Sequence, residues 1–494
     1  LEAAGLRAPS QFGFVPHKGT REATLVLRAV LEYGAHPERR TIYAAFLDLQ
    51  KAFDSVSRQL LWRLLRNLGV PESFVRALAS YYEHVAFRVE LSSGLGRSAT
   101  AEVGVKQGCP LSPLLFGVFI ESLLRDFMSD TTGFDLPSLG RVGADLPPVA
   151  VPPVTYADDL TPLSTSSAGL QRQLDRLHEL ASAYGLVINV TKTKVMALGP
   201  NAPTPVSLPA ITIGGSRIEW VRQFRYLGLL LDHRVGFAQA PVSLHAAALA
   251  KYHALVRQCR AKGVEDSASL NLLFDSLVTS ILGFGVCIWG PDTFAPTCDD
   301  SRTLRPLDDP APNSTALEYE KLQRRFVKFL FQVPEQTSHL ALLVESRRPP
   351  MAVQFYEHVS RFLHHLLDDN IFPPTCLVRR ALAASADFSS PDSWLRRLHA
   401  WSVALGSPFD LQSCIPDVLR SSFSVTGHFG GRTRAALPLR LPMGPCAVAS
   451  AVQHAHQVWA QSLPTRARAA SKYLTLPFAA ASPSTWNRRP ASHY

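Results

Sequence analysis

The chain has 494 residues, of which 46% are hydrophobic and 18% charged, with seven cysteines and a formal net charge of +10. This is more than one hydrophobic core usually serves, so two or three subdomains are expected, and the apolar content argues against a chain disordered over most of its length. No stretch offers the roughly 18 uninterrupted apolar residues of a membrane span; residues 1–14 do not read as a secretory leader, and the scattered cysteines form no C-x-x-C pair or Cys/His cluster, which argues against a zinc knuckle and for reduced thiols in an intracellular protein.

The sequence opens on Leu1 and not on methionine, so the reading frame is expected to start inside a longer product. Residues 41–49, TIYAAFLDL, combine β-branched and apolar types and predict a buried strand. Leu60, Leu61, Leu64, Leu65 and Leu68 follow at helical spacing and stop at Gly69, and Pro71 suits the first turn of a second helix. FRVEL and ATAEVGV flank the turn SSGLG as a hairpin, and LLFGVFIESLLRDF predicts a long apolar helix. Residues 130–153, rich in Pro, Gly and Asp, read as a loop before the strand PVTY.

Leu170, Leu174, Leu177 and Leu180 then line one face of a helix that ends at Gly185, with short strands at LVIN, KVMAL and FRYLGLLL. The order so far is α+β, helices laid on an antiparallel sheet. From about residue 240 the pattern is helical, through HAAALAKYHALVRQCRAKG, SLNLLFDSLVTSILGFGV, YEKLQRRFVKFLFQV, MAVQFYEHVSRFLHHLLDD and SWLRRLHAWSVAL. Beyond Asp417 there is no Asp or Glu but there are nine basic residues between Arg420 and Arg489, so the rest of the chain is close to neutral. That tail reads either as a phosphate-contacting segment or as a poorly ordered or decayed Ala-, Pro- and Ser-rich one.

Three acids stand where acids are costly. Asp48 ends an apolar strand, and Asp158 and Asp159 form a turn after another. Adjacent like charges repel unless a cation lies between them, and an ordinary hairpin turn is the bland alternative for an Asp-Asp pair. Two hard cations roughly 4 Å apart, held by such carboxylates, can activate an attacking hydroxyl and stabilise a leaving pyrophosphate.

Over roughly residues 11–345 the chain resembles the reverse transcriptases of non-LTR (LINE-type) retroelements. FLDLQKAFDSV is similar to that family's first catalytic motif, VKQGCPLSPLLF to its nucleotide-pocket motif and YADDL to its second catalytic motif. GLVINVTKTKVM resembles the lysine-bearing motif that follows, FRYLGLLLD the primer-grip segment, and QFGFVPHKGT the stretch before the first catalytic motif. The resemblance implies a right-hand palm, an antiparallel sheet with helices on one face, followed by an all-α thumb. It divides the chain into residual fingers (1–40), palm (41–235), thumb (240–345), a helical extension (346–420) and the basic, poorly ordered tail (421–494).

It further implies RNA-directed DNA polymerisation from deoxynucleotides on an RNA template and a DNA primer, in the nucleus. Asp48, Asp158 and Asp159 would bind two Mg²⁺ ions, with Mn²⁺ as substitute, and Lys192 would protonate pyrophosphate. Phe53 would screen the sugar 2′ position, the alternative being a core phenylalanine. Gln107 and Gly108 would touch the incoming nucleotide, with Ser112 as a cap and Pro113 opening the helix behind them. Tyr226, Leu227 and Gly228, and on a thumb helix Lys321, Arg324, Arg325 and Lys328, would contact primer and template, or the basic four would be a solvated face. The family's triphosphate-clamping fingers motifs are expected upstream of Gln11, where only ten residues stand, so an impaired remnant that binds nucleic acid is one alternative and a group II intron maturase-like protein another. Pro162, which cannot donate to a ladder, is expected at an edge or bulge.

Overall fold

The computed structural model describes residues 10–34, 41–83, 85–139, 149–295, 314–334 and 348–404, less positions 89, 93, 374 and 386–392, with a few positions between 336 and 346. The basic tail lies outside the described residues. Among them no single helix is long and apolar enough to cross a membrane.

The centre is a five-stranded sheet in the order Leu163–Ser164, Ile42–Phe46, Lys194–Leu198, Ser216–Trp220, Ile211–Ile213. Its pairings are antiparallel, except that Lys194–Leu198 runs parallel to Ser216–Trp220, with Val195 opposite Trp220. The expected antiparallel sheet is therefore a mixed one. A hairpin at residues 211–220, not foreseen in the sequence, supplies the parallel strand.

Nor are the helices confined to one face. Ile42, Ala44 and Phe46 point into one hydrophobic core with Met196 and Leu198, while Ala45 and Leu47 point into a second with Val195 and Ala197. The apolar run of the 42–47 strand, with no polar alternation, is what a strand covered on both faces requires. The helices Arg58–Asn67, Glu72–Glu83, Ser112–Met128 and Ser167–Ala183 close the second core. Local sequence sets several of their ends: the Ser57 and Ser166 hydroxyls accept from the Leu60 and Gly169 amides, and Leu170, Leu174, Leu177 and Leu180 are the buried stripe of the last helix.

The first core draws on the rest of the chain. The helix Thr20–Gly34 contributes Leu25, Val26, Leu27 and Val30, and the helical region contributes Ala240–Lys262, Ser267–Phe274, Val286–Phe294, Thr315–Phe331, Met351–Leu366, Leu377–Ala384 and Trp394–Ala404. One continuous apolar cluster runs from Phe12 to Trp401. At its heart Phe274 stacks on Phe326 at 3.8 Å, and Trp289, Phe294, Tyr319 and Phe355 meet edge-on or tilted.

Other expectations shift locally. FRVEL and ATAEVGV meet in one short ladder, 86–87 with 99–100, while the end of FRVEL pairs within the expected turn, 90–91 with 94–95, and LVIN keeps one bridge, Ile188 with Leu49. Ser112 is not a cap: it is the first helical residue, its hydroxyl 3.1 Å from the Tyr82 hydroxyl, while Pro113 does occupy the first turn. Pro162 interrupts the strands on either side of it, and its carbonyl accepts from the Ala45 amide at 3.1 Å.

Candidate active site

The strands Val154–Tyr156 and Asp159–Thr161 pair antiparallel with Tyr156 opposite Asp159, leaving Ala157 and Asp158 as a two-residue turn. Ala157 adopts a left-handed conformation, φ 57°. A tight two-residue hairpin needs positive φ at least at its first central residue, and alanine pays for it sterically. Leu160 bridges to Leu47, which brings the turn beside Asp48, and the Asp48 carbonyl accepts from the Asn189 amide on the other side at 2.8 Å. Asp48 is thus held between the Tyr-Ala-Asp-Asp hairpin and the segment before Lys192.

The charge of Asp48 is felt by both of the other acids, and that of Asp158 by Asp159. Loss of water around its carboxyl, then the charges of Asp158 and Asp48, push Asp159 up to about 6, against the pull of Lys192. Although the residue as a whole is exposed, neighbouring protein crowds its carboxyl. Asp158 is raised first by burial and then by Asp48. Lys192 Nζ stands 3.4 Å from an Asp48 carboxylate oxygen with its side chain 68% exposed. Asn189, unremarked in the sequence, connects these groups: its amide nitrogen donates to Asp48 at 3.1 Å, and its amide oxygen accepts from Thr191 and from the Lys192 backbone.

A second cluster adjoins. Phe53, half-buried in the turn Ala52–Ser55, stacks on Phe116 at 4.5 Å and meets the edge of the exposed Phe14 at 6.2 Å. Gln107 Nε2 donates to Asp54 at 3.2 Å. Gly108 is left-handed, φ 78°, with open space where a side chain would stand. Arg58 braces the approach to this loop by donating to the carbonyls of Tyr82, Ala101, Val103 and Gly104.

Residues 2–231, which contain all of these groups, match the reverse transcriptase (RNA-dependent DNA polymerase) family. This stretch is a reverse transcriptase domain. Its curated relatives are of the non-LTR kind. Over 227 residues the chain is 29% identical to the retrovirus-related Pol polyprotein from type-2 retrotransposable element R2DM of Drosophila melanogaster, covering 45% of this chain and 20% of that protein. Over 242 residues it is 30% identical to the RNA-directed DNA polymerase from mobile element jockey of Drosophila funebris, covering 47% and 24%. The chain thus spans about a fifth to a quarter of the length of these relatives. Among solved structures it is similar to telomerase from Candida albicans, at 10% identity and a TM-score of 0.36, over 85% of this chain and 54% of that one; so remote a likeness carries no weight here.

The hairpin Gln223–Tyr226 and Leu229–Asp232 packs against the sheet of the reverse transcriptase domain, with Phe224 stacked on Phe46 at 4.2 Å. The Tyr226 side chain is buried, 3% exposed, with its hydroxyl paired with Thr161, so it offers no exposed ring to a primer. The ring belongs to the first hydrophobic core. Leu227 and Gly228, both left-handed, form the half-buried turn that remains available. Lys321, Arg324, Arg325 and Lys328 recur at helical spacing on Thr315–Phe331, far in sequence from the acids, and Lys321 is engaged by Glu318 on the same helix.

Three hard carboxylates brought side by side are the donor chemistry of a divalent cation. As the side chains stand, no three acidic, His or Cys groups among the described residues converge tightly enough to enclose one. Asp48 instead faces the Lys192 ammonium.

Proposed function

We propose that the chain is the catalytic portion of an RNA-directed DNA polymerase of a non-LTR retrotransposon, adding deoxynucleotides to a DNA primer on an RNA template. The observation that carries this reading is the placement of Asp48, with Lys192 at 3.4 Å, beside the turn that bears Asp158 and Asp159, within a reverse transcriptase domain. Asp48, Asp158 and Asp159 would hold Mg²⁺, or Mn²⁺ in its place, once Asp48 exchanges its lysine for a metal. When bound, two such ions supply activation of the primer 3′ hydroxyl and neutralisation of the leaving pyrophosphate.

The chain's own residues do the rest. Lys192 carries, on a largely exposed ammonium in reach of Asp48, the proton that departing pyrophosphate needs. Phe53, immobilised between Phe14 and Phe116, presents a rigid edge to the sugar 2′ position. Gln107, oriented by Asp54, and the open backbone at Gly108 receive the nucleotide. Leu227 and Gly228 meet the primer, and the basic face of the 315–331 helix tracks the duplex backbone.

Primer extension on an RNA template with Mg²⁺ tests this. Synthesis should fall about a thousandfold in Asp158→Asn and in Asp159→Asn, the scale on which loss of a transition-state anchor is felt. Primer-template binding should survive. Undiminished synthesis by both variants would refute the assignment, and binding without synthesis by the unsubstituted chain would leave a nucleic-acid-binding remnant.

A further inference from the structure

The turn that carries Asp158 is strained at Ala157, and what holds it there lies far off in the chain. Residues 10–12 run alongside the first strand of the hairpin: the Thr155 amide and hydroxyl donate to the Ser10 carbonyl at 2.9 and 3.0 Å, and the Phe12 amide donates to the Thr155 carbonyl at 2.9 Å. From this strap the Gln11 side chain, 1% exposed, reaches the turn. Its Oε1 accepts from the Ala157 amide at 3.1 Å and from the Gly13 amide at 2.8 Å.

Two backbone donors on one atom fix which end of the amide is oxygen. The other end, Nε2, is buried without a hydrogen-bond partner among the described residues. A buried unpaired amine is costly, so the site tolerates it for what the oxygen does. Gly13 closes the contact: a Cβ there would stand 2.2 Å from the Ala157 nitrogen, and the Gly13 φ is not one that an L-residue avoids. The glycine is required by proximity to the turn alone.

We infer that Gln11, with Gly13, is a positioning residue for the metal-binding turn: its amide oxygen and the close backbone approach hold Ala157 left-handed and so set where the Asp158 carboxylate points. The inference rests on the reading of Asp158 and Asp159 as metal ligands. It requires no contact between Gln11 and metal or substrate. The strap acts through the Ala157 peptide.

Titration of the 494-residue chain with Mn²⁺, followed by the paramagnetic resonance of the free ion, reads the geometry of the carboxylates without turnover. Gln11→Met keeps the shape and removes the acceptor, and should weaken Mn²⁺ binding about tenfold, as loss of one buried hydrogen bond predicts. Gln11→Glu restores an acceptor oxygen and should stay within about threefold of the unsubstituted chain, a rescue of roughly half a log unit or better. Gly13→Ala, whose Cβ would press on the Ala157 nitrogen, should match Gln11→Met in its loss of Mn²⁺ affinity. Unchanged Mn²⁺ affinity in Gln11→Met or Gly13→Ala overturns the positioning role, as does an equal loss in Gln11→Met and Gln11→Glu that tracks their melting temperatures. If the unsubstituted chain itself binds no Mn²⁺, the metal reading falls, and this inference with it.

Discussion

Asp159 titrates near 6 in the folded chain, where a carboxyl of its kind ordinarily titrates at 3.8. A raised folded-state value disfavours the ionised form in place, so the metal-free chain loses stability as pH climbs from about 4 through 6 and keeps that loss above it. Asp159→Asn abolishes the penalty. Without divalent ions the variant should melt a few degrees higher than its parent at pH 8, and the gap should vanish below pH 4. Added Mg²⁺ should close the gap at pH 8 by stabilising the parent; a variant that melts lower at pH 8 would sink the account. Asp48, Asp158, Asp159 and Phe53 were readable as candidates in the sequence because each sits in a local pattern, a strand end, a turn or a fixed offset from an acid. Asn189 and Gln11 were not. Each acts through a partner about 140 positions away, 141 for Asn189 with Asp48 and 146 for Gln11 with Ala157, and only folding brings such pairs together.

Among the elements, the hairpin at 223–232 shows what local pattern cannot supply. Its sequence, FRYLGLLL, reads as a strand, and whether Tyr226 faces primer or core depends on Phe46, Thr161 and the helices that cover it. The same hairpin is keyed to the helical region by two glycines. A Cβ on Gly228 would strike the Phe284 ring at 2.7 Å, and a Cβ on Gly285 would strike Leu229 at 2.6 Å, both at left-handed positions. Gly285→Ala should therefore cost about 1–3 kcal/mol, from backbone strain and from the push on Leu229, measured as a lower denaturant midpoint. An unchanged midpoint would show that the interlock is loose. Helix existence, by contrast, was legible nearly throughout the region after residue 240, since apolar stripes at 3.6-residue spacing need no knowledge of partners. The helix Thr20–Gly34 has no counterpart among the expectations, and its buried Glu22, Thr24 and Arg28 show that its polar positions do not mark a solvent face.

On the scale of the molecule, charge joins what the sequence keeps apart. Arg28, 7% exposed, pairs with Glu32 on its own helix and with Asp292 on Val286–Phe294, and Asp292 also faces Arg397 on Trp394–Ala404. Glu32 in turn accepts from the Trp394 amide at 3.1 Å and from Ser385 at 3.2 Å. Removing one member of such a network strands buried charges, so Arg28→Met should destabilise by about 3–5 kcal/mol, seen as an earlier unfolding transition by circular dichroism. A change under about 1 kcal/mol would mean that water already solvates the acids. These ties give the two-sided burial of the central strand a practical meaning. Residues 2–231 carry the family match, yet the side of the sheet with Ile42, Ala44, Phe46 and Met196 belongs to one continuous apolar cluster that also takes in the helices from Ala240 to Ala404. An expression fragment cut at the edge of sequence kinship would split that cluster and present its severed half to water, inviting aggregation, so the smallest piece worth producing extends to the helix that ends at Ala404.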